Sequence, residues 1–299
     1  MRSATRSPMA TTTRCPGTRS GWSSATATRC PSTWCTVGPD PRVRQLAVRH
    51  LHRQPGAQQL ARADARPAGP CPAADRMTAA QRFVLVRHAE ASLNVLRDDD
   101  VLPGFDPHAG LTPLGERQAR ALADHLPGDP AVRPPGPGRG PAVRVYSSPQ
   151  RRAARTAEVL GTALGVPVVV DARLAELRAP EVFPQPITVG EWDTVLEDRL
   201  RRPADEVGGV ESWVDQRRRV REFLDARCPV GGDDARWVLV SHSETLQAVL
   251  FELLGLEDAL LHRTRFKISN TGVFIVDRTE DGCASLVVAN SKTHLARTA

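Results

Sequence analysis

Four short apolar runs, each broken off by polar or charged residues, constrain this 299-residue chain more than any other feature. Phe83-Val84-Leu85-Val86 stops at Arg87-His88, and Val143-Arg144-Val145-Tyr146 stops at Ser147-Ser148-Pro149. Val166 to Val170 runs out into Leu174-Ala175-Glu176-Leu177-Arg178, and Trp237-Val238-Leu239-Val240 ends at Ser241-His242-Ser243-Glu244. Short apolar runs bounded in this way read as buried strands. Thr271 to Val276 and Ser285 to Ala289 read as closing strands.

The segments between the runs carry helical signals. Leu111-Thr112-Pro113-Leu114-Gly115-Glu116 opens a helix, with Thr112 as N-cap, Pro113 at the first helical position and Glu116 in the first turn. Ser148 is expected to cap a second helix that Pro149 starts, with Ala153, Ala157, Leu160 and Leu164 on one stripe. A third helix is expected to run to about Cys228, and a fourth from Leu246 to Leu254. Such alternation predicts an α/β fold of three layers, α/β/α, with a mostly parallel central sheet covered on both faces. Residues 96–110 read as a polar loop whose run Asp98-Asp99-Asp100 is solvated, and 127–142 as a Pro- and Gly-rich surface loop. Residues 180–210 are irregular apart from one short helix and contain Trp192; a lid-like insertion over the sheet edge is expected around 178–215.

Charge divides the chain into two parts. The net charge of +6 conceals a segment, 1–76, with 12 Arg, no Lys, 3 Asp and no Glu; the rest holds 28 basic and 31 acidic residues. The first 76 residues are rich in Arg, Pro, Ser and Thr without a hydrophobic period, and so cannot offset the entropy of folding. Met77 leads directly into the first strand, which suggests translation starting there; a disordered basic arm and a targeting segment are the alternatives. A nucleic-acid partner would rest on that segment alone. Cys30 and Cys35 with His50 and His52 imitate a zinc site at poor spacing. The six cysteines form no dense framework, so reduced thiols and a cytoplasmic setting are expected. No apolar run approaches the ~20 residues of a membrane span.

In an open α/β sheet, ligands gather beyond the carboxyl ends of the strands. An arginine there offers a guanidinium fork for phosphate and an imidazole offers a nucleophile. Arg152, in the first turn of its helix, lies where an anion is welcome. Taken singly, Arg87-His88 could be an accidental strand end, Arg152 an exposed helix arginine beside Arg151 and Arg155, and Glu176 a loop carboxylate. Their shared position at strand ends places them in one pocket.

These residues in this order resemble the histidine phosphatase superfamily, whose fold is that of the phosphoglycerate mutases. Arg87-His88-Ala89-Glu90 with Asn94 is similar to its opening motif, an Arg-His-Gly triplet followed by Glu and Asn. Leu111 to Ala119 resembles the "LT..G..QA" stretch, Ser147 to Leu160 the "SSP..RA..TA" helix, Leu174 to Arg178 the acid-bearing segment, and Val238 to Glu244 the second-histidine segment. The likeness spans about residues 82–290. Ala89 stands where glycine is usual, and Ser243-Glu244 where Gly-Gly or Gly-Glu is common. With Ser243 directly after His242, the resemblance implies Glu176 as the acid, with Glu244 as the runner-up.

The resemblance further implies a phosphohistidine on His88, a clamp of Arg87, Arg152 and His242 on the phosphate, and a pocket lined by Asn94 and Ser148, with Ser243 and Glu244 beside them. It implies neither cofactor nor metal, because arginine and histidine supply the positive charge. A phosphatase acting on a small phosphorylated metabolite is the expected activity. The alternatives are a phosphoglycerate mutase, a phosphohistidine protein phosphatase and an inactive phosphate-ligand binder. A homodimer is compatible with all of these.

Overall fold

The structure, a computed structural model, describes residues 81–102, 104–133, 142–231 and 235–297. Residues 1–76, the expected start at Met77 and residues 134–141 of the Pro- and Gly-rich loop lie outside them.

In chain order, β1 (Gln81–Arg87) leads through a 3-10 turn, Ser92–Val95, to β2 (Val101–Leu102) and helix α1 (Pro113–His125). Then come β3 (Ala142–Ser147), α2 (Arg151–Leu164), β4 (Val168–Val170), β5 (Ile187–Thr188), α3 (Val189–Arg201) and α4 (Trp213–Arg227). The chain closes with β6 (Ala235–Ser241), α5 (Ser243–Leu253), β7 (Val273–Arg278) and β8 (Ala284–Ser291). Six strands form one sheet in the order β4-β3-β6-β1-β7-β8. Pairing is parallel from β4 to β1, and antiparallel where β7 joins β1 and β8 joins β7. The expected mostly parallel α/β sheet is the one observed.

The continuous apolar runs of β1 and β6 follow from burial on both faces. Alternate side chains divide between two cores. Phe83, Leu85, Trp237 and Leu239 pack against α4 and α5 through Trp213, Val220, Phe223, Val249 and Phe251. Val84, Val86, Val145, Val238 and Val240 pack against α1 and α2 through Leu122, Ala153, Ala157 and Leu160. Each fully buried side chain of this size contributes about 1.5–3 kcal/mol relative to exposure.

Register then sets the site. Arg87 pairs with Ser241, and Ser147 pairs with Val240. The carboxyl ends of β1, β3 and β6 are therefore level, and the residues beyond them emerge side by side.

Several boundaries differ from the sequence expectation. The second helix begins at Arg151, not Pro149, because Gln150 is still extended at φ −67° and ψ 134°. Ser148 does not cap it: the Ser148 hydroxyl accepts from the Gln150 N–H at 3.2 Å, before the helix starts. The third strand is shortened to Val168–Val170. Gly165 is left-handed, at φ 70°, and the Val166 N–H still bonds the Gly161 carbonyl, so the chain at 166 is completing the helix cap. The fourth helix starts earlier than Leu246, at Ser243, with His242 as its N-cap residue. The 96–110 loop contains β2, which pairs antiparallel with β5; strands of two residues carry no periodic signal. Of the body cysteines, Cys228 is a buried free thiol. Among the described residues no helix is long and apolar enough to cross a membrane.

The LTPLGERQA stretch acts as a buttress. Thr112 caps α1 by accepting from the Gly115 N–H at 3.0 Å, and its hydroxyl donates to the Glu90 carboxylate at 2.7 Å. Gln118 accepts from the Glu90 N–H at 2.9 Å. A Cβ on Gly115 would lie 2.0 Å from the Glu90 carbonyl oxygen, so only glycine allows α1 to approach the loop after His88. Gly115→Ala is expected to destabilise the protein by about 1–3 kcal/mol in urea unfolding, the range for overpacking. A variant as stable as the parent would show that the approach can relax without strain.

Candidate active site

His88 leaves the end of β1 almost fully buried, and its ring is oriented by the backbone of the next residue. Nδ1 lies 2.8 Å from the Ala89 carbonyl oxygen, which can only accept, so Nδ1 carries the proton. Nε2 is then a lone pair, and it accepts from Arg152 Nε at 3.3 Å. Burial, and then the positive charges of Arg87 and Arg152, hold His88 well below the usual histidine range, so the ring is neutral. A neutral imidazole with an unprotonated Nε2 is the nucleophilic form.

Two arginines flank it. Arg87 Nη1 donates to the Ile268 carbonyl at 2.7 Å, whereas its buried Nε has no protein acceptor. Arg152 is fixed by the Asp106 carbonyl at 3.2 Å and by Gln150 Oε1 at 3.0 Å, and its guanidinium lies 5.5 Å from the centroid of the Phe105 ring.

His242 stands 5.0 Å from His88, centroid to centroid. Burial, followed by His88, Arg152 and Arg87, keeps it neutral and well below the usual range. Its Nε2 is 2.7 Å from the Ser148 hydroxyl, and its buried Nδ1 has no protein partner. Ser148 accepts from the Gln150 N–H and gives its own proton to His242 Nε2 in the tautomer with hydrogen on Nδ1, the form in which Nδ1–H is a second donor without an acceptor.

Glu176 lies at the N-terminus of α5. Oε1 accepts from the Thr245 N–H at 3.1 Å and the Leu177 N–H at 3.1 Å, with the Thr245 hydroxyl at 3.2 Å; Oε2 accepts from the Glu244 N–H at 3.4 Å. A helix N-terminus is a natural seat for a carboxylate, because its first N–H groups lack acceptors.

A cavity of about 170 Å³ is lined by Arg87, His88, Asn94, Arg152, Glu176 and Ser243, together with Leu93, Leu102, Gly104, Phe105, Phe183, Val189 and Trp192. Six residues named from the sequence thus share one cavity. Ser148 and His242 stand behind the lining and touch each other. Glu244 does not line the cavity. Its carboxylate accepts from Arg265 at 3.0 Å and lies 3.7 Å from Arg199, because the turn of α5 aims it away from the strand ends. Asn94 Oδ1 accepts from the Ala91 N–H at 3.1 Å and from Asn270 Nδ2 at 3.0 Å, while the same Asn270 amide donates to the His88 carbonyl at 3.0 Å.

Asn270 and Arg219 escaped the sequence reading. Arg219 grips the Glu176 segment through the Arg173, Ala175 and Glu176 carbonyls and pairs with Glu211 at 2.8 Å. Nothing in the run Arg217-Arg218-Arg219 distinguishes the inward arginine from its exposed neighbour. The aromatic wall was visible only as Trp192; Phe105 and Phe183 reach it from elsewhere, with ring centroids 6.5 and 5.7 Å from the Trp192 ring.

A mostly parallel sheet with two histidines and two arginines at its strand ends defines a class. The profile of the histidine phosphatase superfamily (branch 1) matches residues 83–291, and the chain belongs to that family. It is an enzyme of the phosphatase kind, a phosphoric monoester hydrolase. It is 38% identical to a 5''-phosphoribostamycin phosphatase of Niallia circulans, over 73% of this chain and 99% of that protein. It is 32% identical to the probable phosphoglycerate mutase GpmB of Yersinia enterocolitica, over 61% and 79%. The structure of a mycobacterial glucosyl-3-phosphoglycerate phosphatase bound to VO3 superposes with a TM-score of 0.53 at 26% identity, covering 71% of this chain and 99% of that one.

The neutral histidines have a consequence for stability. In the unfolded chain both titrate near ~6.5, and below that pH it takes up protons that the folded protein refuses. Stability is therefore unaffected by these groups above pH ~6.5 and falls as pH drops below it. Between pH ~6.5 and ~5.5, urea unfolding is expected to show a loss of about 1 kcal/mol per histidine. His88→Asn should remove its share of that loss; an unchanged acid drop in the variant would contradict a neutral His88.

Proposed function

We propose that the enzyme hydrolyses small phosphomonoesters through a phosphohistidine on His88, and that two buried donors left without acceptors beside that ring, Arg87 Nε and His242 Nδ1, receive the phosphate. Buried N–H groups are nearly always paired, so such orphans call for an acceptor that the chain itself does not supply.

His88 Nε2 attacks phosphorus while the bond to the ester oxygen breaks, and Glu176 gives its proton to the departing oxygen. Water then attacks the phosphohistidine, Glu176 takes a proton from it, and the P–N bond breaks to release phosphate and the neutral imidazole. Arg87, Arg152 and His242 stabilise the equatorial oxygens in both steps; positioning and electrostatics of this kind dominate phosphoryl transfer. Asn94 and Ser243 contact the ester, and Ser148 holds His242 in its tautomer. Segment 178–215 serves as a lid, since it brings Phe183, Val189 and Trp192 to the cavity.

The relatives support a small phosphorylated metabolite as substrate, being named for phosphoribostamycin, phosphoserine and glucosyl-3-phosphoglycerate. A cytoplasmic setting belongs to the same reading, because charged phosphoesters stay in the compartment that makes them.

The test is phosphate release from p-nitrophenyl phosphate and from an alkyl phosphate by the full chain without added metal. His88→Ala is expected to lose at least about a thousandfold, as removal of a nucleophile does. Glu176→Gln should lose about 10²–10⁴ on the alkyl ester and much less on p-nitrophenyl phosphate, whose leaving group needs no proton. Turnover that survives in His88→Ala would overturn the assignment. Transfer of phosphate between carbon positions of a phosphoglycerate, in place of release to water, would identify a mutase.

A further inference from the structure

Charge around the cavity is strongly one-sided. The cations that line it, Arg87 and Arg152, are both at the floor beside His88. The walls come from two segments of opposite character. Residues 97–106, which contribute Leu102, Gly104 and Phe105, hold four acidic residues and a single basic one, Arg97. Residues 179–198, which contribute Phe183, Val189 and Trp192, hold five acidic residues and no basic one. The two segments are joined: the Val189 and Gly190 N–H groups donate to the Asp100 and Asp98 carbonyls, at 3.0 and 3.1 Å. The arginines that bound the second segment offset it in part. Arg201 pairs with Glu197 and Asp198 at 3.3 and 3.2 Å, and Arg202 lies 3.9 Å from Asp198, which leaves Glu181, Glu191 and Asp193; Arg199 is turned inward to the Glu211 carbonyl at 2.6 Å, and Arg178 borders a separate surface groove.

We infer that the substrate is a phosphomonoester with a compact apolar body and a cationic amine at the end remote from the phosphate. The inference rests on the phosphatase reading and deepens it. Phosphate takes the two floor arginines, and the apolar body takes the aromatic wall. An ammonium group then sits over the Trp192 ring, where cation–π attraction applies, within the field of the acidic rim. A second anionic group, carboxylate or phosphate, meets Glu181, Glu191 and Asp193 on that side, and among the described residues the cations that line the cavity are Arg87 and Arg152, which the phosphate takes. The cavity, about 170 Å³, holds the phosphate and the near part of that body, the rest reaching the rim.

Three esters with leaving groups of similar basicity test this: 6-aminohexyl, hexyl and 5-carboxypentyl phosphate. In low salt, kcat/KM is expected to be about tenfold higher for the amine than for the neutral ester, and lower again for the carboxylate, the order Coulomb interaction across a few ångströms gives. The amine's advantage should shrink as ionic strength rises. The exposed, isosteric pair Asp98→Asn with Asp193→Asn should reduce it at least threefold while hexyl phosphate turnover stays unchanged. Equal turnover of the three esters, or an advantage that the double variant leaves intact, overturns the inference and spares the phosphatase reading. Failure to hydrolyse any of the three, and p-nitrophenyl phosphate as well, overturns both.

Discussion

The parallel pairing of β1 with β6 is the constraint on which the site depends. It sets Arg87 opposite Ser241, so the next residues, His88 and His242, leave the sheet as neighbours 5.0 Å apart. A slip of one residue would send the Val84-Val86 and Val238-Val240 faces to the wrong core, and two closely packed cores forbid that. The hydrophobic pattern that stabilises the sheet therefore also positions the chemistry.

This register concentrates positive potential around uncharged rings. Two guanidinium groups that stay protonated are buried next to two imidazoles, and each raises the cost of protonating the rings. The histidines remain neutral, His88 offering a lone pair and His242 a donor. The arginines are held by carbonyls and a side-chain amide, those of Ile268, Asp106 and Gln150, and among the described residues no carboxylate lies at hydrogen-bonding distance. Their charge is consequently left for an anion that enters.

Glu176 is placed by a separate network that reaches the wall of the cavity. Arg199 on α3 donates to Gln216 at 2.5 Å, Gln216 donates to the Thr245 hydroxyl at 3.0 Å, and Thr245 holds the Glu176 carboxylate. The same helix supplies Val189 and Trp192 to the lining. One element thus carries the wall that meets the body of a ligand and an anchor for the carboxylate, so their separation is set by the rigidity of α3.

Much of this was legible in the chain. Valine-rich runs ending in Arg-His, Ser-Ser and Ser-His specify buried strands with polar exits, and Thr112-Pro113 specifies a helix start, because these signals act over a few neighbouring residues. The order of those exits also resembled a family, and the family profile agrees. Local signals do not carry direction or partnership. Whether Glu176 or Glu244 faces the cavity turns on the rotation of α5, and Arg219 differs from Arg218 only in which side of α4 meets Glu211. The two-residue strands β2 and β5, the aromatic wall assembled from Phe105, Phe183 and Trp192, and the orphaned donors of Arg87 and His242 exist only once distant segments pack. The sequence by itself determined the sheet, its polar strand ends and the chemistry those ends can perform. Only the tertiary structure decided which side chains share the cavity, because that depends on contacts between residues far apart in the chain.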